Sequence, residues 1–246
     1  MRVDLLDRFA TLVGPPNAVV PLFDCSMVYA AALQDGDIWP EARDRRRELE
    51  LAVIEHCSGR EGAIDIVEGV LDFLRREQFR GNIRAYEDPR NSLMDRVLER
   101  RLGLPISLCV LAIHLAECCG VELHGISFPG HFLIGLELRE GNYDPIVWDP
   151  FRGGRRLQLD ELAALFTMVV GHHVEPDSPV LHNQLRPCHS RLILTRQLEN
   201  LRRHYGMREE LERVVDTLEL LAALHPNEPQ IQELLASHPR QRHLIN

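Results

Sequence analysis

His131 and Asp149 are the residues of this 246-residue chain whose types and positions best suggest chemistry. Each lies at the end of an apolar, β-prone run. If the polar segment 139–144 is a hairpin tip centred near Glu140–Gly141, the two residues lie directly opposite each other. Opposed residues of antiparallel strands have Cβ atoms about 4.5–5.5 Å apart, so the carboxylate could orient the imidazole. The pair predicts half of a catalytic triad or its remnant, or a polar staple that only holds the hairpin together.

Two upstream residues could supply a nucleophile for His131. Ser107 falls in the first turn of an apolar segment, and Cys109 follows one turn into it. The start of a helix favours a thiolate, and a Ser or Cys activated by a His–Asp pair can attack an acyl group. Ser107 also fits a helix-capping role, and Cys109 fits a small core residue. Both alternatives stay open.

The elements that must position these residues are a buried helix and a small sheet. Pro105 suits the first position of a helix and Gly120 suits its end, so the apolar segment predicts a central helix over 105–119. Strands are expected at 123–128, 132–138 and 146–148, and Gly153-Gly154 predicts a tight turn.

Helices are predicted on both sides of this unit. Periodicity indicates helices over 41–56, 64–77 and 160–168, whereas the first forty residues read as irregular apart from one short helix. Ser92 and Asp95 resemble a capping box that starts a helix through Arg101. The tail from 191 to about 238 has a helical pattern of roughly one tetratricopeptide period.

Four ordered blocks of this sequence resemble the signatures of the bacterial SirB family. They are residues 88–92 (Asp-Pro-Arg-Asn-Ser), 97–108 (Val-Leu-Glu-Arg-Arg-Leu-Gly-Leu-Pro-Ile-Ser-Leu), 128–132 (Phe-Pro-Gly-His-Phe) and 149–154 (Asp-Pro-Phe-Arg-Gly-Gly). The resemblance covers roughly residues 60–226. It implies a transglutaminase-like domain followed by tetratricopeptide-type helices, in a family linked to regulation of bacterial virulence genes. It also implies that His131 and Asp149 occupy the transglutaminase His and Asp positions. The transglutaminase Cys would then fall within 105–107, where this chain has no thiol.

Composition narrows the function classes. The formal net charge is −9, which argues against a phosphate-backbone binder, so no nucleic-acid partner is predicted. The longest apolar stretch is too short to cross a bilayer, and residues 1–8 show no secretory pattern, so a cytoplasmic protein is expected. The six cysteines include no CxxC pair. The histidines at 172, 173, 182 and 189, with Cys188, lack zinc-site spacing, and no nucleotide fingerprint is present, so no metal or cofactor is predicted.

The sequence therefore predicts an α+β protein in three parts. These are an N-terminal helical segment (1–60), a papain- or transglutaminase-like core (61–185) with its central helix packed on a small antiparallel sheet, and a tetratricopeptide-like helical tail (190–246). The favoured function is a non-catalytic, thiol-lacking regulatory module that binds a protein or peptide around Ser107, His131 and Asp149. The alternatives are a hydrolase or acyltransferase using Ser107, or less favourably Cys109, with His131 and Asp149, and an adaptor that binds only through its tail. The oligomeric state is not predicted.

Overall fold

The computed structural model describes residues 3–35, 38–137 and 145–237, which form helices around two small sheets. The helices described are α1 (Val3–Val13), α2 (Leu22–Ala32), α3 (Trp39–Cys57), α4 (Ala63–Arg76), α5 (Met94–Arg100), α6 (Pro105–Cys118), α7 (Leu159–Val170), α8 (Pro179–Gln184), α9 (Ser190–Met207), α10 (Leu211–Leu224) and α11 (Pro229–Ser237). The strands described are β1 (Arg80–Gly81), β2 (Leu102–Gly103), β3 (His124–Ile126), β4 (Leu133–Leu136), β5 (Ile146–Asp149) and β6 (Arg155–Leu157).

Helix α6 is the predicted central helix. Pro105 is its first residue, where the missing N–H costs no hydrogen bond, and the helix is apolar on nearly every side. Its buried residues belong to the largest apolar cluster, together with side chains of α3, α4 and the strands β4 and β5. A helix buried in this way cannot be amphipathic, which explains its continuous apolar sequence.

The larger sheet is an antiparallel meander in the order β3-β4-β5-β6. Its first three strands were predicted, but β6 was not, because three residues carry too little pattern to recognise. In the register observed, Ile134 pairs with Trp148, and continuing it sets Leu133 opposite Asp149. The predicted pairing of His131 with Asp149 is therefore wrong by two residues. The predicted tip at Glu140–Gly141 lies outside the described residues.

The sequence predicted that the first forty residues are irregular apart from one short helix. This prediction is wrong, because α2 also lies within them. Helices α1 and α2 share an apolar cluster with α9 and α10, so the two ends of the chain pack together. Buried Arg191 reinforces this contact. Its guanidinium donates to the carbonyls of Leu224 at 2.5 Å, Val13 at 2.6 Å and Pro15 at 2.7 Å. These carbonyls lie at or just beyond the ends of α10 and α1, where no helical amide remains to satisfy them.

The predicted capping box at Ser92 is also wrong. Helix α5 begins after Leu93 and has no side-chain cap. Ser92 instead follows a 3-10 turn, Pro89–Asn91, and its carbonyl accepts a hydrogen bond from the Tyr29 hydroxyl at 2.7 Å. Tertiary contacts thus decide where α5 starts.

The mixture of helices with a small antiparallel sheet matches the predicted α+β class. Within the described ranges, no helix combines the length and apolar composition needed to cross a membrane. The division at 1–60, 61–185 and 190–246 stays a prediction.

Candidate functional site

Asp149 and His131 form a hydrogen-bonded pair at the end of β5. His131 Nε2 lies 2.8 Å from Asp149 Oδ2, and Asp149 is completely buried. The other carboxylate oxygen, Oδ1, accepts hydrogen bonds from the backbone amides of Phe151 at 3.0 Å and Arg152 at 3.2 Å. The carboxylate is thus held by the 3-10 turn Pro150–Arg152, as a capping Asp should be, while it orients the imidazole.

His131 reaches Asp149 from the loop before β4 rather than from the strand. A turn between Phe128 and His131, closed by a 3.0 Å backbone hydrogen bond, sets its direction, and Gly130 adopts a φ of +70° within it. Diagonal neighbours in an antiparallel pair remain within reach of long side chains. His131 and Asp149 therefore form the predicted contact although they do not lie directly opposite each other. Among the described residues, His131 Nδ1 has no hydrogen-bond partner, and the side chain is 14% exposed.

Within the described residues, neither candidate nucleophile forms a hydrogen bond with this imidazole. Ser107 is fully buried, and its Oγ has no hydrogen-bond partner in the described part of the chain, so it neither caps α6 nor meets a base. Cys109 is also fully buried, and its Sγ lies 3.4 Å from the carbonyl of Phe132. Burial, and secondarily the charge of Asp149, raises the pKa of the Cys109 thiol well above its usual value. A thiolate at this position is therefore disfavoured.

Aromatic side chains extend the site toward the surface. The Phe151 ring lies edge-on to His131, with centroids 5.9 Å apart, and edge-on to Tyr86 at 6.2 Å. Gly81 of β1 makes room for it, because a Cβ there would lie 2.3 Å from the Phe151 ring. The three rings form one continuous row from the buried carboxylate to the exposed Tyr86.

Arginines surround this aromatic row. Arg152 is exposed beside Asp149, with Nε 3.8 Å from Oδ2. Arg196 of α9 lies over the Phe132 ring at 5.4 Å and donates to the hydroxyl of Ser127. Burial raises the pKa of the Tyr86 phenol, and the charges of Arg203 and Arg196 oppose that shift. The surroundings of His131 are thus aromatic and positively charged, although the chain as a whole is acidic.

The segment 88–92 positions the loop that carries Tyr86. Asn91 Nδ2 donates to the carbonyls of Ala85 at 2.7 Å and Tyr86 at 3.2 Å. The Asn91 carbonyl accepts a hydrogen bond from the Leu104 amide at 3.1 Å, just before α6 begins. One buried turn therefore fixes both the loop and the start of the central helix.

Sequence reasoning missed a second cluster, which lies at the C-terminal end of α6. Glu50, His114 and Cys118 place their potential ligand atoms within 4.8 Å of one another. The His114–Cys118 spacing of four residues, which puts both on one helix face, was the available signal. No local sequence pattern connects them to Glu50, which is 64 residues away from His114 in the sequence. Within the described residues, the histidines at 172, 173, 182 and 189 form no such cluster with Cys188.

Comparisons with known proteins agree with this architecture. Residues 42–199 match the model of the transglutaminase-like superfamily. A UPF0162 protein of Xylella fastidiosa (strain 9a5c) is 41% identical over 152 residues, which are 62% of this chain and 53% of that protein. A UPF0162 protein of Pseudomonas aeruginosa is 29% identical over 205 residues, covering 78% of this chain and 72% of the relative.

A eukaryotic protein is also similar to this chain. F-box only protein 21 of Homo sapiens is 30% identical over 164 residues, which are 65% of this chain and 25% of that protein. The chain spans about half the length of the Xylella relatives it matches. No solved structure matches it significantly. Because the superfamily model covers more than half of the sequence and the α+β fold agrees with it, the chain belongs to the transglutaminase-like superfamily.

Proposed function

We propose that this chain is a non-catalytic member of its superfamily that binds an acidic peptide segment of another protein. The observation that carries this proposal is a hydrogen-bonded His131–Asp149 pair to which, within the described residues, neither Ser107 nor Cys109 forms a hydrogen bond. General-base catalysis needs the base within about 2.6–3.2 Å of the proton it removes. In the part of the chain that the structure describes, Ser107 Oγ has no hydrogen-bond partner, and Cys109 Sγ lies against the carbonyl of Phe132.

The preserved pair has a role that does not depend on turnover. Asp149 holds the Phe151 and Arg152 amides and the His131 ring at the same time. Losing it would release the aromatic row at its buried end. The pair therefore acts as a scaffold that orients side chains for binding, a role that needs no nucleophile beside the imidazole.

The residues around His131 suit an acidic segment with apolar side chains. We name Tyr86, His131, Phe151, Arg152 and Arg196 the recognition face. Exposed aromatic rings supply large contact areas with little conformational entropy to lose, and arginines bind carboxylates with two parallel hydrogen bonds. Tyr86 is 41% exposed, and Ile83 on the same loop is 77% exposed, so apolar surface is available beside the charges.

The helical tail belongs to this proposal through α9, which carries Arg196. The SirB membership, the tetratricopeptide character of the tail and a regulatory role stay predictions. Repeat arrays need about three or more repeats for stability, whereas these helices bury their apolar faces against α1 and α2. We propose that the tail contributes one edge of the binding surface rather than an independent repeat domain.

The test of binding is fluorescence anisotropy with a labelled Asp/Glu-rich peptide containing Leu and Phe, against a peptide in which each acid is replaced by Lys. We expect binding of the acidic peptide only, weakened by salt, and at least tenfold weaker in Arg196→Glu. Exposed Arg43 on α3 lies outside the recognition face, and Arg43→Glu is the matched control. Equal binding of both peptides, or equal loss in both variants, would contradict the proposed occupant.

The test of catalysis is separate. The intact protein is treated with serine- and cysteine-reactive probes, with His131→Ala as control, and labelled residues are located by mass spectrometry. We expect no labelling of Ser107 or Cys109 that depends on His131. Labelling of either residue that disappears in the control would replace this proposal with a hydrolase or acyltransferase.

A further inference from the structure

The C-terminal end of α6 lies against α3 and brings three unlike side chains together. His114 Nε2 lies 2.6 Å from Glu50 Oε1 and 3.9 Å from Cys118 Sγ. All three are half-buried, and the exposed fractions of the Glu50 and His114 side chains are 24% and 13%. A carboxylate oxygen, an imidazole nitrogen and a thiol sulfur thus converge on one point that solvent can reach.

Rigid elements hold two of these side chains. His114 and Cys118 are four residues apart on α6, so they project from the same face one turn apart. The His114 ring stacks on Phe23 of α2, with centroids 3.9 Å apart and an angle of 5° between the planes. The stack fixes the imidazole in position, and the Glu50 and Cys118 side chains adjust around it to complete a coordination shell.

We propose that Glu50, His114 and Cys118 bind one divalent zinc-class ion, with a fourth coordination position left open to water. Mixed sulfur, nitrogen and oxygen donors suit Zn²⁺, and three protein ligands with one open position are a known zinc arrangement. This inference is independent of the function proposed for the recognition face.

Proton and charge balance are simple. Cys118 loses its S–H proton to solvent and binds as the thiolate. In the free site, His114 Nε2–H donates a hydrogen bond to Glu50 Oε1. On metal binding, Nε2 loses this proton to solvent and Nδ1 takes one up from solvent, so the neutral imidazole binds through Nε2 and the hydrogen bond is replaced by metal bonds from both residues. One carboxylate and one thiolate then neutralise the two charges of the ion. A neutral centre is what a half-buried position tolerates.

Arg46 supports the carboxylate and does not disqualify the site. Its Nε lies 2.6 Å from Glu50 Oε1, and its Nη1 pairs with Asp24, which balances the arginine charge. Such an outer partner commonly orients a metal ligand. A cavity of about 720 Å³, lined by Asp24, Arg46 and Glu50 among others, lies on the Glu50 side of the cluster.

The experiment is a Co²⁺ titration of the full chain, purified with reducing agent and stripped with a chelator. A thiolate-to-Co²⁺ charge-transfer band in the near ultraviolet should saturate at one equivalent, and Zn²⁺ should displace it. The band should be absent in Cys118→Ser, and the affinity should fall at least tenfold in Glu50→Gln. The matched control is Cys119→Ser, because the adjacent Cys119 Sγ points instead toward the Val53 carbonyl, 3.9 Å away. This control should retain the band.

Two results would overturn the proposal. One is the absence of a charge-transfer band at millimolar Co²⁺. The other is a band that survives Cys118→Ser and disappears in Cys119→Ser, which would place metal binding at a different thiol. If Cys118→Ser does not fold by circular dichroism, His114→Gln tests the same ion, and undiminished Co²⁺ affinity in that variant also contradicts the site.

Discussion

The two ends of α6 hold polar groups in different ways. At its N-terminal end, the nearby Asp149 is fully buried and accepts hydrogen bonds from two backbone amides and from His131. At its C-terminal end, His114 and Cys118 meet Glu50 from a different helix, and these side chains remain half-buried. The first group is bound into the fold by the backbone. The second is held by side chains alone.

This difference separates polar groups that stabilise the fold from polar groups that can bind a ligand. A carboxylate whose oxygens already accept amide hydrogen bonds has little to offer a ligand, and its removal should damage the fold. Side chains that satisfy one another across a helix interface can exchange those contacts for an external ion. We therefore expect substitutions at the N-terminal end of α6 to affect stability most, and those at the C-terminal end to affect ligand binding most.

The largest effect is expected for Asp149→Ala. The substitution leaves the Phe151 and Arg152 amides and the buried side of His131 without their acceptor, so the free energy of unfolding should fall by about 3–5 kcal/mol. Urea denaturation measures this loss. Asp149→Asn is the matched control, because it keeps one oxygen for the amides and should cost only about 1–2 kcal/mol. Equal losses in the two variants would show that the oxygen accepting the Phe151 and Arg152 amides is not what stabilises this turn.

The sequence predicted the fold best where local pattern and burial agree. Helix α4 was expected over 64–77 and spans Ala63–Arg76, because one apolar stripe recurs with helical spacing. Helix α2 was missed, because it is buried on nearly all sides and its apolar residues show no periodicity. The false capping box at Ser92 arose for a related reason, since the Tyr29 contact that uses the Ser92 carbonyl is 63 residues away in sequence.

Contacts between residues distant in sequence also limited how well the sites could be predicted. The His131–Asp149 contact could be predicted, because one hairpin connects the residues, although its register could not be fixed without the tip geometry. The aromatic row depends on Phe151 packing over Gly81, a contact between distant segments that no local pattern encodes. His114 and Glu50 are 64 residues apart, so their pairing appears only once α3 packs on α6.

An intermediate loss of stability is expected for Gly81→Ala. This substitution tests whether the aromatic row depends on the packing of Phe151 over Gly81. The new Cβ would lie 2.3 Å from the Phe151 ring, so the ring must move, at a cost of about 1–3 kcal/mol. Acidic-peptide affinity should fall with it. Gly206→Ala is the control, because among the described residues no atom outside the adjacent backbone of α9 lies within 4 Å of a Cβ at that position, and it should stabilise the protein by about 0.5–1 kcal/mol. Unchanged peptide affinity in Gly81→Ala would remove Phe151 from the recognition face.

The smallest stability effect is expected for Glu50→Gln in the presence of a chelator. Burial raises the pKa of Glu50, but hydrogen bonds from Arg46 and His114 outweigh it, so the pKa lies below its ordinary value of 4.5. The half-buried ion pairs of Glu50 with Arg46 and His114 should contribute about 1 kcal/mol or less to the free energy of unfolding. Since a lowered pKa stabilises the fold only above the ordinary value, the difference between wild type and variant should be constant near pH 7 and shrink as pH falls below about 4.5. Urea denaturation from pH 7 to pH 3 checks this. A loss comparable to that of Asp149→Ala would mean that both ends of α6 are fixed by buried charge, and the distinction between them would fail.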